Sequence, residues 1–243
     1  MLFRRSDYKT ASGCEPIKWI YAIGDVHGRL DLLDEALNAI VADRLGDHAV
    51  TVALGDYIDR GPESAGVIAR LRELEQNSQL ICLKGNHEAM MAKALRSGDL
   101  THWYRNGGEA TMTSFAGAVP ASVIDWIEGL GVIWNDGFRI YVHGGLAPFL
   151  PLEEQDEDTC IWIRNRFLEA PAEALPFHVV HAHTPQWDGK PIYSEPELLP
   201  HRTNLDTGAF RTGRLTVGVF DANAPGGPSR LLPIQGVEMD IDD

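Results

Sequence analysis

Three short segments constrain this chain most: Gly24-Asp25-Val26-His27-Gly28, Gly55-Asp56-Tyr57-Ile58-Asp59-Arg60-Gly61 and Gly85-Asn86-His87-Glu88. Each follows an apolar run of strand length and β-forming composition, Trp19 to Ile23, Val50 to Leu54 and Leu80 to Leu83. Asp56 follows Asp25 by 31 positions and Asn86 follows Asp56 by 30, close to the ~30 residues of a βαβ unit. Helical periodicity fills the intervals. Leu33, Leu37, Ile40 and Val41 share one face in Arg29 to Leu45, and Val67, Ile68, Leu71 and Leu74 repeat the pattern after the second segment. Such crossovers are almost always right-handed, so the three loops are predicted to meet at one edge of a parallel sheet, outside the carboxyl ends of its strands.

From Glu88 to about Leu130 the pattern is mainly helical, broken by Trp103-Tyr104-Arg105-Asn106-Gly107-Gly108, whose Asn-Gly-Gly is a turn signal. Strand-like runs follow at Val132 to Trp134, Phe138 to Val142, Phe177 to Val180, Arg202 to Leu205 and Leu215 to Phe220. The expected fold is α/β, two mixed β-sheets packed as a sandwich flanked by helices. No composition shift marks a linker in the 243 residues, so 1–243 reads as a single domain with a helical insertion at about 88–130.

Twenty-one basic against 35 acidic side chains give a net charge of −14, which repels a phosphate backbone and argues against nucleic acid as a general partner. Cys14, Cys82 and Cys160 are odd in number and widely spaced, which fits a reducing cytoplasm. Met1 to Arg5 reads as a solvated arm carrying Arg4 and Arg5. No apolar stretch of signal-peptide length follows it before Asp25, so neither secretion nor membrane insertion is expected.

A pair of divalent ions about 3.5–4 Å apart needs a bridging carboxylate with oxygen and imidazole ligands on either side. Asp25 and His27 can reach one ion from a single loop, Asp56 is the natural bridge, and Asn86 supplies a neutral carbonyl oxygen. Two further histidines are expected from the second half. They are His143, in Val142-His143-Gly144-Gly145, and His183, in His181-Ala182-His183-Thr184-Pro185. His181 competes with His183; if Phe177 to His181 is strand, His183 lies beyond its end, where ligands belong. This donor set suits manganese, iron or zinc better than calcium. Singly, each segment reads as a turn or a helix start; together, ligand residues at repeated post-strand positions point to metal.

The neighbours of the ligands carry further chemistry. Two metals lower the pKa of a shared water and neutralise phosphoryl oxygens, leaving charge clamping and leaving-group protonation to side chains. Arg60 can clamp two phosphoryl oxygens through its planar fork. His87 can protonate a departing alkoxide when a carboxylate orients its other nitrogen, and Asp59 is the near candidate. A second arginine is expected from another segment, Arg164 first and Arg166 as runner-up.

These segments, with Ala182-His183-Thr184-Pro185 and Asn204-Leu205-Asp206-Thr207-Gly208, resemble the successive signatures of the phosphoprotein phosphatase family within the calcineurin-like metallophosphoesterases, over residues 19–209. The compact bacterial serine/threonine phosphatases are the most similar members. The resemblance implies the calcineurin-like metallophosphoesterase fold, two divalent ions, and phosphomonoester hydrolysis by a metal-held hydroxide. It places Asp25, His27 and Asp56 on one ion and Asp56, Asn86, His143 and His183 on the other, favouring His183 over His181. By the same resemblance His87 with Asp59 is the general acid, and Arg60 and Arg164 bind phosphate. Lys84 stands where the family's protein phosphatases usually carry arginine before Gly-Asn-His-Glu, and a phosphate-binding place is expected for it too. The expected substrate is a phosphoprotein or small phosphoester. The related diadenosine tetraphosphatases are the alternative, though they typically lack the Asp-Arg pair seen here at Asp59-Arg60; a catalytically silent metal-binding scaffold is the alternative from another class.

Overall fold

The computed structural model describes residues 2–4 (as backbone), 16–77, 80–185 and 195–239. Leu2–Arg4 forms strand β1 and Trp19–Ile23 forms β2; helix α1 (Leu30–Asp43) then crosses to β3 (Ala49–Ala53), and α2 (Ser64–Gln76) crosses to β4 (Leu80–Cys82). Strands β2, β3 and β4 lie side by side and parallel, so the two crossovers bring the three loops to one edge of the sheet. Four helices follow: α3 (Asn86–Ser97), α4 (Thr101–Tyr104), α5 (Gly108–Ser114) and α6 (Ala121–Glu128).

The second half builds the other sheet from β5 (Ile133–Asn135), β6 (Arg139–Val142), β7 (His178–His181), β8 (Glu197–Leu198) and β9 (Arg202–Asn204). Short helices α7 (Glu157–Trp162) and α8 (Asn165–Leu168) lie between β6 and β7, and α9 (Ala209–Thr212) follows β9. The chain then returns to the first sheet with β10 (Arg214–Asp221) and β11 (Arg230–Gln235). The strand orders are β11-β10-β2-β3-β4 and β1-β5-β6-β7-β9-β8, and both sheets mix parallel and antiparallel pairs.

The period-2 alternation of the strands separates three packed layers. Ile20, Ala22, Val50 and Val52, with Phe220 of β10 on the same face, meet Trp134, Tyr141 and Val180 of the second sheet. Tyr21, Ile23 and Ala53 face outward onto Leu33, Ala36 and Ile40 of α1 and Val67, Ile68 and Leu71 of α2. Ile133, Ile140, Val142 and Val179 cover the far face of the second sheet against Cys160, Ile161 and Phe167. Each fully buried Leu or Ile among these contributes about 1.5–3 kcal/mol, which fixes strand register and with it the loop ends.

Two expectations differ from the structure, and one strand is additional. Val41 is 60% exposed, because Leu32, Leu33, Ala36 and Ile40 define the buried stripe of α1 and Val41 lies one step round the helix. The N-terminal arm is not simply solvated: Leu2–Arg4 pairs with Ile133–Asn135 as a parallel edge strand. Strand β11 was not anticipated, since Pro233 interrupts its pattern; proline is tolerated there because β11 is an edge strand. Cys82 and Cys160 are buried free thiols, whereas Cys14 and Arg5 lie outside the described residues. Among the described residues no helix is long and apolar enough to cross a membrane.

Candidate metal centre

The ends of β2, β3 and β4 deliver Asp25 and His27, Asp56, and Asn86 to one place, and the loops after β6 and β7 add His143 and His183. All six side chains are buried. His143 Nε2 lies 2.9 Å from Asn86 Oδ1, 3.2 Å from His183 Nδ1 and 3.3 Å from Asp56 Oδ1, so four segments converge on one point. Asp56 also reaches towards His27, whose Nε2 is 3.6 Å from its Oδ2. The ligand atoms of Asp56, His143 and His183 lie within 4.8 Å of one another, as do those of His27, Asp56 and His87. Asp56 thus belongs to both groups. Asp25 stands beside them, with Oδ1 3.7 Å from His143 Nδ1 and Oδ2 accepting the His183 N–H at 3.2 Å.

The backbone is forced into shape here. His27, Asp56, Asp59, Arg60 and His183 all have positive φ, between 43° and 73°, a region that costs a side-chain-bearing residue ~1–2 kcal/mol. Glu88 holds the Asp56 loop in that conformation. Its carboxylate accepts N–H bonds from Asp56 and Tyr57 at 2.8 Å each and from Gly85 at 2.9 Å. Backbone carbonyls set the imidazoles: His27 Nδ1–H donates to Ile58 O at 2.8 Å and His143 Nδ1–H to Leu54 O at 3.0 Å. In each ring Nε2 is left with its lone pair facing the cluster, the arrangement a metal ligand requires.

Electrostatics fit the same purpose. Burial, then repulsion from Asp206 and Asp56, pushes the Asp25 carboxyl well above its usual range, and burial raises Asp206 too. Burial, followed by Arg60, holds His27 far below the usual imidazole value; burial, followed by His143, does the same to His183. Asp56 moves the other way, because attraction to His143, His87 and His27 outweighs its burial. Asp25 Oδ1 and His183 Nε2 are buried without a hydrogen-bond partner. Burial opposes the charge on His143, but the Asp56 carboxylate beside it raises that imidazole instead. Repelling carboxylates, the neutral imidazoles of His27 and His183, and unpartnered buried polar atoms around a shared carboxylate form a donor set that fits a pair of divalent cations.

Beside this cluster, His87 Nδ1–H donates to Asp59 Oδ2 at 2.7 Å, with both side chains buried. Arg60 spans the gap, Nη1 2.8 Å from His27 Nε2 and Nη2 3.1 Å from His87 Nε2, with its guanidinium 4.6 Å above the Phe210 ring. Arg164 donates to His183 O and Thr184 Oγ1, each at 3.2 Å, which puts it at the rim of the site; Arg166 is exposed on α8. His181 stays outside the cluster, as the last residue of β7, its ring edge-on to Phe167 at 4.9 Å.

Lys84 sits just before the Asn86 loop and is buried. Its ammonium donates to Glu157 Oε1 at 2.8 Å and Glu128 O at 3.2 Å, so it ties the β4 loop to α7 and the end of α6. Sequence reasoning also missed the hold that Trp103 and Thr111 have on Asp59, the part played by Glu88, and Phe210 beneath Arg60. The signal for Trp103 was available, since a buried indole N–H needs an acceptor.

Fold and donor cluster together define a metal-dependent phosphoesterase architecture. The sequence matches the calcineurin-like phosphoesterase family over residues 18–209, and the chain belongs to that family. Serine/threonine-protein phosphatase 1 of Salmonella typhimurium is 39% identical over 90 residues, 37% of this chain and 39% of that protein. The symmetrical bis(5'-nucleosyl)-tetraphosphatase of Nitrosospira multiformis is 28% identical over 137 residues, 56% of this chain and 46% of that one. The chain therefore spans under half the length of these curated relatives. The crystal structure of a candidate diadenosine tetraphosphatase has the same fold, with a TM-score of 0.66 at 22% identity over 97% of this chain and 98% of that one.

Proposed function

We propose that the protein is a cytoplasmic metal-dependent phosphomonoesterase of the serine/threonine phosphatase type. The observation that carries this reading is the Asp59–His87 pair with Arg60, set against a donor cluster in which Asp56 belongs to both groups. Asp25, His27 and Asp56 would hold one divalent ion, and Asp56, Asn86, His143 and His183 the other, manganese being the proposed metal. Such ions would supply an acidified water and charge neutralisation at the phosphoryl group. Protonated His87 gives its Nε2 proton to the departing alkoxide, while Asp59, at Nδ1, orients the ring and stabilises its positive charge. Arg60 binds two phosphoryl oxygens through its fork, with Arg164 approaching from the other side. In doing so Arg60 leaves the two imidazoles, freeing His27 Nε2 for the metal and His87 Nε2 for the leaving oxygen.

The proposed substrate is a phosphoprotein or a small phosphoester. The match to the symmetrical tetraphosphatase, longer than that to the protein phosphatase, favours dinucleoside polyphosphate as the second reading. Comparing kcat/KM of the manganese-loaded protein on a phosphoserine peptide and on diadenosine tetraphosphate decides between them. A higher value on the peptide is expected; a higher value on the dinucleotide assigns the second function.

A further inference from the structure

Asp59 is fully buried, and its carboxylate takes more donors than the His87 ring. Trp103 Nε1–H is shared between its oxygens, 3.0 Å from Oδ1 and 2.9 Å from Oδ2, and Thr111 Oγ–H donates to Oδ1 at 2.6 Å. Thr111 Oγ1 also accepts the backbone N–H of Asp59 at 2.9 Å and lies 3.0 Å from Ser64 Oγ. A residue at φ 73° is thereby pinned at both backbone and side chain. These donors arrive from α4 and α5, 44 and 52 residues along the chain.

The same segment reaches Arg60. Arg60 N–H donates to Gly107 O at 3.2 Å. A Cβ on Gly107 would lie 2.8 Å from Arg60 Cγ, and one on Gly108 would lie 2.5 Å from the Trp103 ring. The two glycines of the Asn106-Gly107-Gly108 turn therefore let this segment pack directly on the Asp59-Arg60 loop. A tryptophan serving only to fill core would need one acceptor somewhere; this one bridges both oxygens of the carboxylate that orients His87.

We propose that Trp103 and Thr111 are positioning residues that act through Asp59 on His87. Together they fix the plane of the carboxylate and leave one lone-pair direction for His87 Nδ1–H, so the imidazole has a single orientation with Nε2 towards the cleft. The inference rests on the reading of His87 as the general acid.

The test uses the manganese-loaded full chain as wild type, Trp103→Phe, Thr111→Val, Thr111→Ser, His87→Asn and the double variant Trp103→Phe/His87→Asn. Substrates are a phosphoserine peptide, whose alkoxide leaving group needs a proton, and p-nitrophenyl phosphate, whose aryl leaving group needs it far less. Trp103→Phe and Thr111→Val are expected to lower kcat on the peptide about tenfold with little change in KM, and to slow the aryl ester less. Thr111→Ser restores the hydroxyl and the rate. In the His87→Asn background Trp103→Phe costs nothing further, because the group through which it acts is gone. Equal slowing of both esters, or the same factor lost in the His87→Asn background, overturns the inference, and the near-isosteric Thr111→Val decides it if Trp103→Phe folds poorly. If His87→Asn leaves the peptide rate unchanged, the general-acid reading beneath it falls; if His87→Asn slows the peptide and neither Trp103→Phe nor Thr111→Val does, this inference alone falls.

Discussion

Replacing Gly55 by alanine tests whether the close approach of the three loops is what builds the site. Gly55 has φ +110°, and a Cβ there would lie 2.7 Å from Gly85 N, 2.8 Å from Gly85 Cα and 2.9 Å from His143 Nδ1. Forcing an L residue to positive φ costs ~1–2 kcal/mol. Adding a methyl to a closed space costs ~1–3 kcal/mol more. Neither neighbour can give way easily: one is backbone, and the other is tied to Leu54 O at 3.0 Å. A total loss of about 3 kcal/mol lowers Tm by about 6–12 °C for a chain of this size. Gly226→Ala is the control, with φ +98° and no atom within 4 Å of the added Cβ. It carries only the backbone cost, about 1 kcal/mol or about 2–4 °C. Thermal melts of the metal-free proteins by circular dichroism read both shifts. Calorimetric titration with manganese reads the site, where displacement of His143 should weaken binding about tenfold in Gly55→Ala and leave Gly226→Ala unchanged. Equal melting shifts, or wild-type manganese affinity in Gly55→Ala, would show that the close approach at Gly55 does not build the site.

Arg139 and Asp136 form a buried pair at 2.7 Å, and Arg139 also donates to the carbonyls of Gly226, Asp221 and Ala224. Arg139→Met leaves the Asp136 carboxylate without its cation, held only by the Phe138 and Arg139 N–H groups and the Tyr141 hydroxyl, and should cost about 3 kcal/mol in urea unfolding, with Asp136→Asn/Arg139→Met recovering part of it. Hydrogen bonding from Arg230, and after it from Tyr21, holds the Asp43 carboxyl below its ordinary 3.8. A depressed folded pKa contributes stability above the ordinary value and loses it as pH falls through the folded one, so the urea midpoint of wild type should drop more than that of Asp43→Asn between about pH 6 and about pH 3. Lys84→Met should lower Tm by breaking the link to Glu157 while changing KM for p-nitrophenyl phosphate less than about twofold; a large rise in KM would return Lys84 to the phosphate.

How much of this was legible depended on chain distance. The loops carrying Asp25, Asp56 and Asn86 could be placed together because a right-handed βαβ unit fixes both spacing and edge. The pairing of His87 with Asp59 could be read because each adjoins a residue of that cluster. The bond from Lys84 to Glu157 could not be read, since Glu157 lies 73 residues on and belongs to a helix that only the second sheet brings near. Trp103 and Thr111 failed for the same reason: the turn between them was evident, but which loop it packs on is a tertiary fact. Strand β11 was hidden by Pro233, whose meaning depends on an edge position that the sequence pattern does not reveal.

The proposed function stands on a two-ion site shared through Asp56. Chelated protein titrated with manganese, with bound metal per chain and hydrolysis of a phosphoserine peptide followed together, tests it most directly. No turnover is expected without metal, and the rate should rise as the second ion binds. Full activity in the presence of chelator, or activity that saturates at one manganese per chain, would contradict it.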